Sequence, residues 1–263
     1  MMTMKWIRLK SGLKEDHLAN RLKYNPEILE LHLNEEDMYQ PGRLVDTIKW
    51  LQSQGVTVYL HHPSKYKGYY LDIISNDKER RYFYDWSSSA LATICEKMNV
   101  KCVIHCHYAN SESSRGIDDQ VKRWNVRKRI EEILSIHPTC FLWEDTIGGI
   151  FSAENPFLRK EIIEPLNLPL TIDISHSFIA LNGSNERLQK HLENYAYYAK
   201  YYHVVDSKGL KHDSLPLGDG NIDWKMVKPF VVDTDFIFEI GLSDSDHLDC
   251  SPMLASAAYF AKV

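Results

Sequence analysis

Glu144, Asp173, His203 and Glu239 each close a short apolar run, in FLWED, TIDISH, YHVVDS and FIFEIG, and they follow one another at steps of 29, 30 and 36 residues. Earlier runs continue the series: His61 in VYLHHP, His105 and His107 in VIHCHY, and Glu30 and His32 in ILELHL. Two or three carboxylates held close together repel one another and resist ionising unless a cation sits among them. Mixed carboxylate and imidazole donors suit a divalent ion such as Mn, Zn, Co or Mg. Any one of these residues could equally be a buried polar group satisfied by hydrogen bonds. The four together, at the period of one strand plus one helix, favour a metal centre.

The residues around that core carry more than one reading. His176 completes DxxH with Asp173 and suits a second-metal ligand, a substrate donor or a loop histidine. His105 and His107 lie two apart, so an extended strand would turn both to one face, with one at the site and the other a pocket wall or a packed ring. Of His61 and His62, alternation sends one inward. Glu30 and His32 read as a buried ion pair or interior hydrogen bond. Lys208 suits a substrate phosphate or carboxylate, or the open surface. Gly148-Gly149 and Gly218-Asp219-Gly220 read as turns whose amides could approach an anion.

Something must bring these positions together. Eight strands are expected from β-branched and aromatic runs, near 5–10, 28–33, 56–61, 102–107, 140–145, 170–175, 203–207 and 236–241. Helical patterns fall between them at 41–54, 78–98, 118–136, 156–166, 185–200, 223–229 and 251–262. The first of these opens on Pro41 and stops at Gly55. The clustered tyrosines of YAYYAKYY (Tyr195 to Tyr202) read mostly as helix packing. Strands alternating with helices in 263 residues predict a single-domain α/β fold, the (β/α)8 TIM barrel, spanning residues 1–263. In that fold the carboxyl ends of all strands open on one mouth, where the polar residues would converge. Two long connections, near 62–77 and 107–118, would shape its rim.

Composition narrows the field. The net charge of −5 gives no general attraction for nucleic acid, although a local basic patch stays open. No apolar run is long enough to span a membrane, and the amino terminus lacks a signal-peptide core. Five cysteines without a CxxC pair suit reduced thiols and a cytoplasmic location. The first strand lacks a GxGxxG turn, so no nucleotide cofactor of that type is expected. Oligomeric state is left open, with association through outer helices as one outcome.

The segments HHPSKY…YLDIIS, VIHCHY, WEDTIGG, TIDISHSF, HVVDSKG, LPLGDGNIDW and FEIG, in that order, resemble the xylose isomerase-like TIM-barrel superfamily. That superfamily joins sugar and sugar-phosphate isomerases and epimerases with endonuclease IV-like abasic-site endonucleases. The resemblance implies a four-ligand metal site of Glu144, Asp173, His203 and Glu239, with Glu144 and Glu239 also the catalytic acid/base pair. It makes His176 a substrate contact or a zinc ligand, and places His61 and His105 where the endonucleases hold further zinc. The endonuclease pattern departs at an Asp-x-His pair, where this chain has His212 and Ser214, and at a DNA-contacting tyrosine, where it has Ser64.

The expectation is therefore a divalent-metal-dependent isomerase or epimerase of a sugar, sugar phosphate or related polyhydroxy carbonyl compound. Proton abstraction and return would run through an enediolate between two glutamates, with His107, Lys208 and His212 as further substrate contacts. The alternatives are an endonuclease IV-like phosphodiesterase acting on abasic-site DNA and a binding protein that kept the barrel without turnover.

Overall fold

The computed structural model describes residues 6–108, 111 and 113–263. Eight parallel strands close a barrel: β1 (Arg8–Ser11), β2 (Ile28–His32), β3 (Thr57–His61), β4 (Lys101–His105), β5 (Phe141–Glu144), β6 (Leu170–Asp173), β7 (Ala199–Val204) and β8 (Phe236–Phe238). Each pairs with its sequence neighbours, and β1 closes on β8. This is the (β/α)8 architecture. Lys5, part of the expected first strand, lies outside the described residues, as do three positions of the 107–118 connection.

Strand alternation sorts the side chains. Ile28, Tyr59, Val103, Leu142, Tyr201 and Ile237 meet inside the barrel as an apolar floor. The next residue on the same face of β3, β4, β5, β7 and β8 lies two positions on: His61, His105, Glu144, His203 and Glu239. On β6 the same step leads from buried Thr171 to Asp173. A bulge at Leu170/Thr171 brings β6 into register with β7, so that Asp173 lies directly beside His203. The intervening residues, among them Leu29, Leu60, Cys102 and Ile172, turn outward into the main core against the helices.

The helices start where capping groups stand. Asp77 caps Lys78–Met98, Asp119 caps Gln120–Ile136, and Asp223 caps Trp224–Val231 through side-chain oxygens that accept backbone N–H bonds. Pro41–Ser53 buries Leu44, Ile48 and Leu51, and Gly55 follows at φ +79°. Short helices also form at Glu15–Leu22 and Ile174–Ala180. The 62–77 connection contains a two-stranded hairpin, Lys65–Tyr66 with Tyr69–Tyr70.

One expected boundary shifts. The helix expected to run to 200 ends at Tyr195, and β7 begins at Ala199 rather than near 203. Tyr201 and Tyr202 are therefore strand residues. Tyr201 points into the barrel and stacks on Tyr59 at 4.2 Å, while Tyr202 packs outward in the core.

His191 sits on the buried face of the Asn185–Tyr195 helix, its ring 4.4 Å from that of Tyr195. Burial alone pulls its pKa down to about 4. The unfolded chain therefore binds a proton at this position that the folded chain refuses. Stability contributed by neutral His191 is complete above pH 6.5 and declines as the pH falls toward 4. Chemical denaturation of His191→Leu should lose about 3 kcal/mol of pH dependence across that window, at 1.36 kcal/mol per pKa unit. A variant with the wild-type pH profile would contradict this.

Candidate metal centre

Glu144, Asp173, His203 and Glu239 converge at the barrel mouth with one donor atom from each within 4.8 Å of all the others. Among the described residues, the His203 ring is the hub. Its Nδ1 lies 3.0 Å from Glu144 Oε1 and 3.0 Å from Glu239 Oε2. Its Nε2 lies 3.0 Å from Glu30 Oε2, deep in the barrel. An N–H donated to a buried carboxylate fixes the ring and leaves the other nitrogen for a cation.

Asp173 serves two structures at once. Its Oδ1 accepts from His176 N and Ser175 Oγ and caps the Ile174–Ala180 helix. Its Oδ2 is buried without a hydrogen-bond partner among the described residues. A buried carboxylate oxygen left open, beside two glutamates and an imidazole, fits a divalent cation.

Besides a group of Glu30, His32 and His61 deeper in the barrel, two further clusters adjoin this one. His61 Nε2 and His105 Nε2 approach Glu144 Oε2 at 3.2 and 2.7 Å, so the two oxygens of Glu144 serve different sides. His61 Nδ1 bonds to the His62 carbonyl at 2.9 Å, which turns Nε2 toward Glu144. Asp173, His176 and His212 form the other cluster, with the His176 and His212 Nε2 atoms 3.1 Å apart. His176 Nδ1 is tied to the Asp145 carbonyl at 2.9 Å. Asp145 in turn accepts from Asp173 N and Ser177 Oγ, bracing the Asp173–His176 segment.

The electrostatics follow this geometry. Burial pushes Glu144 and Glu239 up, but the histidines outweigh it and hold both carboxyls well below the ordinary range. His203 moves well above its usual value, because Glu144, Glu30 and Glu239 overcome its burial. His176 rises to about 9, its burial outweighed by Asp173, Glu144 and Asp145. Burial brings His105 down to about 4 despite Glu144. A neutral His105 means that its 2.7 Å contact with Glu144 is a hydrogen bond rather than an ion pair. Asp145 is raised to about 7, chiefly by burial.

A cavity of about 340 Å³ opens above the cluster, lined by His32, His61, His105, Glu144, His176, His212 and Glu239. Ser64, Tyr70, Tyr108, Thr146 and Ile147 complete its wall. The Tyr108 ring lies 4.4 Å from that of His105 and 5.3 Å from that of Tyr70. His212 thus lies in the cavity beside His176, a pairing that sequence distance conceals.

Two expected substrate contacts lie elsewhere. His107 is fully buried, accepts from Phe151 N at Nε2, and packs where a Cβ on Gly149 would fall 2.8 Å from its ring. β4 ends at His105, so the alternation that would turn His107 to the same face stops there. Lys208 is exposed and absent from the cavity wall, its N–H bonded to Asp213. The glycine turn after it serves Asp206, whose carboxylate gathers N–H bonds from Ser207, Gly218, Ile222 and the Trp224 ring.

The expected pair of Glu30 with His32 forms at 2.8 Å, and Glu30 also reaches His203 at 3.0 Å. The charges and hydrogen bonds of His203 and His32 overcome its burial and hold it at about 2. If it orients His203, Glu30→Gln should weaken metal binding by about 10–100-fold, the usual cost of losing such a partner. Competition against a fluorescent chelator measures this directly, and unchanged affinity would remove Glu30 from the site's support.

Comparison with known proteins sets this fold in context. Similar solved structures include a D-tagatose 3-epimerase-like protein, at 16% identity and TM-score 0.69, covering 97% of this chain and 98% of that one. D-psicose 3-epimerase from Clostridium cellulolyticum H10 matches at 14% identity and TM-score 0.69, with 97% and 98% coverage. The IOLI protein with a binding zinc atom matches at 15% identity and TM-score 0.69, with 97% and 96% coverage. A sequence search of the curated proteins gives no match. The sequence model of the xylose isomerase-like TIM barrel matches residues 29–246, from β2 past Glu239, and the chain belongs to that family.

Proposed function

We propose that the protein is a divalent-metal-dependent isomerase or epimerase of a sugar, sugar phosphate or related polyhydroxy carbonyl compound, acting in the cytoplasm. One observation carries the reading: two ionised glutamates, one ending β5 and one just beyond β8, reach the same nitrogen of His203 at the floor of an open cavity. Glu144, Asp173, His203 and Glu239 would hold the cation, which when bound acts as a Lewis acid toward a carbonyl and its neighbouring hydroxyl. Glu144 and Glu239 stand as the acid/base pair. One takes the proton alpha to the carbonyl, and the other returns one. Their surroundings differ, since the Glu144 side chain is 1% exposed and that of Glu239 is 18% exposed. His176 and His212 offer ring nitrogens to substrate hydroxyls, and Tyr70 and Tyr108 close one side of the cavity.

The epimerases among the similar structures support this direction, as does the zinc-bearing IOLI protein for the cation. The test is incubation of the metal-loaded protein with a panel of ketoses, aldoses and their phosphates in D2O. Deuterium should enter the carbon next to the carbonyl of at least one sugar. Absence of exchange across the panel would count against the proposal.

The cluster of His61, His105 and Glu144 favours a second reading. With one oxygen of Glu144 toward His203 and the other toward two histidines, His61, His105 and Glu144 would hold a second cation beside the first. Such centres activate water in phosphodiester hydrolysis. Release of nitrophenol from bis(p-nitrophenyl) phosphate would support that alternative, and cleavage of a duplex carrying an abasic site would extend it to abasic-site DNA.

A further inference from the structure

A second cavity, of about 270 Å³, lies beside the central one and shares His32 with it. Lys10, Arg21, His17 and His247 contribute to its wall, and no carboxylate does. Lys10 is on β1, in register with Glu30 of β2. Its Nζ makes no hydrogen bond or ion pair among the described residues, although its charge is felt at Glu239.

Arg21 is the more telling group. It is 1% exposed, and its guanidinium reaches only neutral acceptors, the Lys10 carbonyl at 3.2 Å and Asn20 Oδ1 at 3.1 Å. Among the described residues it forms no ion pair. A buried charge without a counter-ion is costly, and protein interiors normally supply one. None of the acids of the neighbouring segments pairs with Arg21: Asp244 accepts from Leu248 N and Asp249 N through Oδ2 while its Oδ1 has no hydrogen-bond partner among the described residues, Asp249 accepts from Ser251 N, and Asp16 accepts from His17 N.

We propose that this cavity is an anion subsite, in which Lys10 and Arg21 hold the phosphate or carboxylate terminus of a substrate whose carbonyl end lies in the central cavity. The assignment of that carbonyl end rests on the function proposed above, but the anion site itself does not. It would make the preferred substrate a sugar phosphate or sugar acid rather than a neutral sugar.

The test is calorimetric titration of the metal-loaded protein with inorganic phosphate and, separately, with glycolate, repeated after chelation of the metal. Saturable binding of at least one anion that survives chelation is expected, and the tighter of the two identifies the terminus. Lys10→Met should weaken it by at least about tenfold, the loss of one charged hydrogen bond. Arg21→Gln should do the same. Should Arg21→Gln fail to fold, Lys10→Met decides alone. No binding, binding lost on chelation, or unchanged affinity in Lys10→Met would each overturn the proposal. None of these readouts involves turnover, so a protein that isomerises no sugar could still pass.

Discussion

Glu239→Gln is expected to lower kcat by roughly 10²–10⁴-fold on any sugar the wild-type protein turns over, the usual worth of a positioned general acid or base. Glutamine keeps the shape of the side chain and can still offer an oxygen to a cation, but it cannot take a proton at neutral pH. The change falls on the first residue beyond β8, at the edge of the cavity, so the barrel should fold normally. Metal content measured on the same sample separates two causes. A full complement of metal with slow turnover assigns Glu239 to proton transfer, whereas lost metal assigns it to cation binding. Isotope exchange adds a second separation. With Glu144 intact, one face of the reacting carbon should still exchange with D2O while epimerisation fails. Full turnover in Glu239→Gln with metal bound would remove Glu239 from the acid/base pair.

The reason so much of this centre could be read from sequence is the period of two along each strand. Tyr59 and His61, Val103 and His105, Leu142 and Glu144, Tyr201 and His203, and Ile237 and Glu239 are same-face pairs, an apolar floor residue followed by a polar one at the mouth. A barrel adds that all such mouths coincide. The same rule misled at His107, because alternation holds only while the strand lasts, and β4 stops at His105. It could not reach His212, which lies in a loop and meets His176 through tertiary folding alone. The start of β7 was obscured by YAYYAKYY, where tyrosines on a helix end, a turn and a strand read as one amphipathic run. Glu30 was visible as a buried polar group. Its partner, His203, is 173 residues away, and only closure of the barrel brings them together. Lys208 looked functional from its place after β7, yet its neighbour Asp206 organises that loop by binding backbone amides.

Stripping the metal should be the largest perturbation to stability. Three carboxylates meet at the mouth, and burial with the Glu239 and Glu144 charges raises Asp173 against the pull of His176. A cation present at a thousand times its Kd adds about 4 kcal/mol to the folded state. For a domain of this size, each kcal/mol moves Tm by about 2–4 °C. Chelation is therefore expected to lower Tm by about 8–16 °C, and restoring zinc or manganese should recover it. An unchanged Tm, with no metal found by elemental analysis before chelation, would leave the carboxylates unexplained by a cation. The same analysis decides between the two reactions. One tightly bound ion per chain matches the four-donor set around His203 and the isomerase reading. Two ions, with one lost in a His61→Ala, His105→Ala double variant, would mean that these histidines hold the second, and would favour water activation. The discrimination is sharp because the two oxygens of Glu144 face different histidines, so removing His61 and His105 leaves its contact with His203 in place.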